Sequence, residues 1–126
     1  SGGELARFML ALKVVLAARG SAPTLVFDEI DTGVGGATAD AIGARLGRLA
    51  KNLQVLAVTH SPQVAARATQ HMLISKMEEV GGKRMATRVQ GLSAQSRREE
   101  IARMLSGATV TEEARAQAAR LLSGTG

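Results

Sequence analysis

An α/β fold is predicted by three observations along the 126 residues. Two short runs, Thr24-Leu25-Val26-Phe27 and Val55-Leu56-Ala57-Val58, are compact and apolar without alternation, the pattern of strands buried on both faces. Between them, residues 37–51 place Ile42, Leu46 and Leu49 on one helical face. Strand, helix, strand is a βαβ unit, so the two strands are expected to run parallel with a right-handed crossover. Hydrophobic residues make up 45 % of the chain, yet Phe8 and Phe27 are its two aromatics. Ala, Leu, Val, Ile and Met must therefore build the core.

Taken in order, Leu5, Phe8, Met9, Leu12, Val15 and Leu16 recur at helical spacing and predict an amphipathic helix over 4–19, with Gly20 just past its end. Pro23 opens the first strand and Asp28-Glu29 closes it. Gly33-Val34-Gly35-Gly36 leads into the second helix, which Asn52 breaks. The strand over 54–59 ends at His60; Ser61 and Pro62 suit N-cap and first-turn positions of a short helix reaching about residue 68. Residues 71–76 and 85–90 read as a hairpin around Gly81-Gly82. Two helices, 94–105 and 111–122, close the chain on either side of Gly107, the first burying Ile101, Met104 and Leu105. No internal repeat or low-complexity linker interrupts this order.

Composition excludes several functions. The chain has no cysteine, which removes disulfides, thiolate-bound zinc and thiol catalysis. The longest apolar stretch, Phe8 to Ala18, is broken by Lys13 and is shorter than the ~20 residues of a membrane span. The opening residues lack the basic start and apolar run of a signal peptide, so a soluble chain is expected. A formal charge of +5 is compatible with nucleic acid, and Lys83, Arg84, Arg88, Arg97 and Arg98 concentrate cations in the C-terminal half. No basic block with interleaved aromatics accompanies them, so a solvated basic surface explains the charge equally well.

Chemistry concentrates at strand ends. In open α/β sheets ligands bind at the carboxyl ends of strands. Asp28 stands where a carboxylate can hold a hard cation such as Mg²⁺. Glu29, one residue on, is placed to polarise a water attacking a phosphoryl group. The plainer alternative is that both acids cap loop amides. Parallel neighbours end on one edge of the sheet, so His60 is expected to face the same crevice as Glu29. Alone, His60 reads as a hydrogen-bonded strand-end residue; beside Asp-Glu it becomes a candidate γ-phosphate sensor. At the start, Ser1-Gly2-Gly3-Glu4 leads directly into a helix. Ser followed three residues on by Glu is a capping box. Two intervening glycines also bare the amides of a helix N-terminus to an anion, which favours a phosphate contact.

In sequence order, SGGE opening a helix, LVFDE closing a strand and VTH closing the next resemble the signature motif, Walker B motif and switch histidine of the ABC ATPase superfamily. DEIDTGVGG, VTHSPQVAARA and REEIARML narrow the resemblance to a DNA double-strand break repair branch of the structural-maintenance-of-chromosomes (SMC) group, over essentially the whole chain. The resemblance implies that 1–126 is the C-terminal portion of an ABC-type P-loop head: a mainly parallel sheet flanked by helices, a C-terminal hairpin and two helices, without the Walker A strand. It implies ATP and Mg²⁺, with Asp28 binding the metal, Glu29 as catalytic base and His60 on the γ-phosphate. Ser1, Gly2, Gly3 and Glu4 would meet ATP held by an opposing head, and Asp31 to Gly36 would lie in that dimer seam, with Asp31 among the nucleotide contacts. Implied partners are the Walker A half, a second identical head, DNA ends and the RecA recombinase, in the bacterial cytoplasm at the nucleoid and away from membranes. Where a D-loop Asp is expected the chain has Gly35, which puts that carboxylate's role in doubt. A head fragment of another chromosome-associated ATPase or of a transporter, and a non-catalytic DNA-binding module, stay open as alternatives.

One element is missing. No GxxxxGK[ST] occurs, so the chain has no phosphate-cradling loop with its lysine. The resemblance places that cradle upstream, beyond a coiled coil, with this sequence starting inside the signature motif. Two expectations follow: the isolated chain does not hydrolyse ATP, and the strand at 71–76 does not pair with the one at 53–59.

Overall fold

The computed structural model describes residues 2–17, 19–20, 22–82 and 84–124. In chain order the elements are α1 (Gly2–Ala17), β1 (Thr24–Asp28), α2 (Gly36–Leu49), β2 (Gln54–Val58), α3 (Pro62–Ala65), β3 (Met72–Glu78), β4 (Met85–Gly91), α4 (Ala94–Ser106) and α5 (Glu112–Ser123). They fall into two compact units, Ser1–Arg67 with Arg120–Gly126, and Ala68–Ala119.

In the first unit β1 and β2 pair in parallel, register running from Thr24 opposite Gln54 to Asp28 opposite Val58. This is the βαβ unit that the apolar runs predict. Phe27 is fully buried and clusters with Leu10, Ala39, Ile42, Leu46, Leu49 and Val64. The predicted face of α2, Ile42, Leu46 and Leu49, is therefore the face that covers the sheet. α2 and α3 approach closely at Gly43, where an added Cβ would lie 2.8 Å from Arg67 Cγ and 3.1 Å from the Gln63 carbonyl oxygen. Arg67 is tied to α2 by an ion pair with Asp40 at 2.8 Å.

Two expectations about burial fail here. β1 buries one face only and β2 less still, with Val55 half-buried and Ala57 exposed: Val26, Leu56 and Val58, on the face opposite Phe27, are 59 %, 41 % and 44 % exposed. The predicted apolar stripe of α1 is likewise open, with Leu5, Phe8, Met9, Leu12, Val15 and Leu16 all exposed, while Leu10 turns into the core. Apolar periodicity marks a face to be covered, but not which part of a polypeptide covers it. Lys13 Nζ lies 5.5 Å from the centre of the Phe27 ring, so α1 meets the sheet through Leu10 and this cation–π contact.

In the second unit β3 and β4 form an antiparallel hairpin, Met72 opposite Gly91 to Glu78 opposite Met85. Gly81 and Gly82 carry it through its turn at φ of 112° and 68°, values an L side chain rarely adopts. Among the described residues β3 pairs with β4 along its whole length. Ser93 caps α4 by accepting from the Ser96 N–H at 3.2 Å. Ile101 and Ala102 of α4 and Ala114 and Ala118 of α5 are buried, whereas Met104 and Leu105 are only half-buried. Glu100, nearly buried, receives both Nε and Nη2 of Arg103, at 2.8 and 2.5 Å. Burial, with Arg97 nearby and Glu100 opposing, lowers the His71 pKa from its ordinary value.

Candidate active site

The carboxyl ends of β1 and β2 meet at one edge, because parallel pairing brings Asp28 opposite Val58. The ladder continues one step further: the Glu29 N–H donates to the Val58 carbonyl at 2.9 Å. Beyond that bond β1 turns sharply, and Glu29 has φ of 50°, among the described residues the one positive value outside glycine. A side chain in that left-handed region costs on the order of 1–2 kcal/mol, and such strain concentrates at functional sites. Thr32 holds the turn, its N–H and Oγ1 both donating to the Glu29 carbonyl at 3.3 and 2.9 Å.

The turn sends the Glu29 side chain across to the neighbouring strand end, where its Oε1 lies 3.0 Å from His60 Nε2. Both side chains are open to solvent, His60 at 87 % and Glu29 at 50 %. The pair expected from two separate strand ends is thus brought into direct contact. Asp28 is exposed at the end of β1, beside Glu29. Gly2, Gly3 and Glu4 form the first turn of α1, with Glu4 as its acid, where the N-terminal amides of a helix favour an anion. Ser1 lies outside the described residues.

Asp31 turns away from solvent. It is 8 % exposed, and its Oδ2 accepts from Thr59 Oγ1, so its carboxylate turns inward. Ile30 and Val34 on either side pack against the core and pull this part of the loop in. Thr59 in turn accepts from the Ser61 N–H at 2.9 Å. The sequence reading gave Thr59 no role, and a lone Thr 28 positions from its acid leaves no spacing signal. Of the cations in the C-terminal half, Arg84, Arg88 and Arg98 are exposed. Arg97 is half-buried and donates through Nη2 to the Ala68 carbonyl. Lys83 lies outside the described residues.

A helix-flanked parallel strand pair, with an antiparallel hairpin following in the chain, fits the fold of a partial ABC-type head of the SMC kind. Solved structures agree on the fold. The chain superposes with a TM-score of 0.67 on the SMC head with coiled coil and joint from Pyrococcus yayanosii, at 25 % identity over 80 % of this chain and 18 % of that one. A chain from work on ATP-driven dimerisation and DNA-stimulated activation of SMC ATPases also gives 0.67, at 23 % identity over 86 % of this chain and 63 % of that one. Sequence relatives are narrower in kind. The DNA repair protein RecN of Xylella fastidiosa is 48 % identical over 122 residues, 97 % of this chain and 22 % of the relative. RecN of Streptomyces coelicolor is 48 % identical over 97 % of this chain and 21 % of the relative, and RecN of Deinococcus radiodurans 51 % over 98 % and 21 %. No protein-family model matches. The chain belongs to the RecN family, as the C-terminal part of its SMC-like head. It spans about a fifth of the length of the curated relatives it matches.

Proposed function

We propose that this chain supplies the hydrolytic and trans-acting residues of an ATP-hydrolysing head in DNA double-strand break repair and recombination. The observation that carries the reading is the contact between Glu29 and His60, each delivered by the carboxyl end of its own parallel strand. Glu29 accepts a proton from water as the water oxygen bonds to the γ-phosphorus of ATP. The bond from that phosphorus to the β,γ-bridging oxygen breaks, and ADP leaves. His60 contacts the γ-phosphate and keeps the carboxylate aimed at its water.

Among the described residues no three or more side chains cluster as a metal cage. A single exposed carboxylate fits Mg²⁺, which is held by one or two carboxylates together with phosphate oxygens and water. Asp28 is the residue to hold it, and the ion would supply charge neutralisation on the phosphates. Gly2, Gly3 and Glu4, with Ser1, approach ATP carried by an opposing head of the same kind. The exposed apolar faces of α1 and of the β1–β2 sheet are what a Walker A-bearing half of the head would cover. DNA ends as the substrate surface, RecA as a partner and a cytoplasmic, nucleoid-associated setting rest on family membership.

The test is reconstitution. This chain alone hydrolyses no ATP above background, and hydrolysis appears when the half carrying Walker A is supplied. Glu29→Gln in that assembled head lowers kcat by about 100-fold or more. Hydrolysis by the isolated chain that disappears with Glu29→Gln would overturn the division of labour; an unchanged kcat in the assembled variant would overturn the role of Glu29.

A further inference from the structure

Asp31 and Glu100 are the buried charged residues among those described. Glu100 is matched by the fork of Arg103. Asp31 has no cation against it among the described residues, and the side chain that donates to it is Thr59. Burying a carboxylate is costly, and for stability alone a cation paired with it, or an apolar residue in its place, would serve better. What this arrangement does provide is position. Thr59 is the residue immediately before His60, and its hydroxyl is used in both directions, donating to Asp31 and accepting from the Ser61 N–H at 2.9 Å. The backbone on each side of His60 is thereby fastened to an acid two residues beyond Glu29.

We infer that Asp31 and Thr59 form a clamp that sets the His60 loop against Glu29, making them positioning residues for hydrolysis rather than nucleotide ligands. The inference rests on the reading of Glu29 and His60 as the hydrolytic pair. The clamp works beneath the 3.0 Å contact of those two side chains, so that the exposed His60 does not have to be held by Glu29 alone. When a phosphate enters between them and their direct contact breaks, the loop stays in register.

The experiment is a kinetic cycle in the assembled head, with this chain and the Walker A half together. Thr59→Val is nearly isosteric and removes the hydroxyl; it lowers kcat by about 10-fold or more while KM for ATP moves less than about 3-fold. Thr59→Ser restores the hydroxyl and recovers most of the loss. In a His60→Ala background Thr59→Val costs less than about 2-fold further, because a residue acting through His60 has nothing left to position. A purely structural role would make the two losses multiply. Should Thr59→Val fail to fold, Asp31→Asn is read in its place, as it keeps the volume and weakens the acceptor. Full kcat in the folded variant, or multiplied losses in the cycle, overturns the clamp. If His60→Ala and Glu29→Gln themselves hydrolyse normally, the site reading has failed, and the clamp falls with it. If both lose activity and Thr59→Val does not, only the clamp is wrong.

Discussion

Glu29 sits in a backbone conformation that favours glycine, and three contacts hold it there. Its N–H is taken by Val58, its carbonyl by Thr32 and its carboxylate faces His60. The strain is local and can be measured. At φ of 50° a Cβ is the source of the cost, so Glu29→Gly is expected to be more stable than Glu29→Ala by about 1 kcal/mol, the reverse of the usual order. Urea midpoints of the two variants in the assembled head check this, and Ala equal to or above Gly would show that the turn is unstrained. Both variants lack the carboxylate and are expected to be inactive. The identities of Asp28, Glu29 and His60 were legible as a candidate site, since residue types that hold a metal or move a proton stand out at strand ends. The left-handed turn that aims Glu29 was not. Nothing in Asp-Glu-Ile-Asp marks which residue takes positive φ, because the bonds that hold the turn, from the Thr32 N–H and Oγ1 and to the Val58 carbonyl, all end on backbone atoms of Glu29 whatever its side chain.

Among elements, α2 and α3 of the first unit approach closely. Gly43 permits it: an added Cβ meets Arg67 Cγ at 2.8 Å and the Gln63 carbonyl at 3.1 Å, and Arg67 cannot swing away freely because Asp40 holds it. Gly43→Val is therefore expected to destabilise by about 2 kcal/mol despite glycine being a poor helix former. A urea midpoint at or above that of the unsubstituted protein would mean the junction opens without cost. α3 follows directly on the His60 loop, so the same change is expected to disturb the site as well as the fold. Element boundaries were largely readable, because caps and breakers are local: Ser61-Pro62 and Ser93 start helices where the chain says they should. Burial was less so. The stripe on α1 obeys the helical period and yet lies exposed, since periodicity is a property of one segment and burial needs a second.

At the scale of the whole molecule, the two units should respond differently to acid. Burial first, then the nearby Arg97, holds His71 below its ordinary pKa of 6.5, with Glu100 opposing. The unfolded chain, titrating near 6.5, then binds more protons than the folded one in the window below that value. The contribution of His71 is complete above about 6.5 and is lost as pH falls from there through the folded-state pKa. Hydrogen-exchange protection of 68–119 should decline on acidification through this window, and His71→Gln should flatten the decline. An unchanged slope in that variant would assign the acid sensitivity elsewhere. The sequence by itself determined the α/β class, the parallel βαβ unit and the hairpin, because period and punctuation are written in neighbouring positions; it also placed Glu29 and His60 at adjacent strand ends. Only the tertiary structure decided that Glu29 turns left-handed onto His60 and that Asp31 faces inward to Thr59. It alone also decided that one face of the sheet and the stripe of α1 stay open. Each of these depends on which distant segment arrives, or does not arrive, at a given surface, and single-chain periodicity carries no record of that.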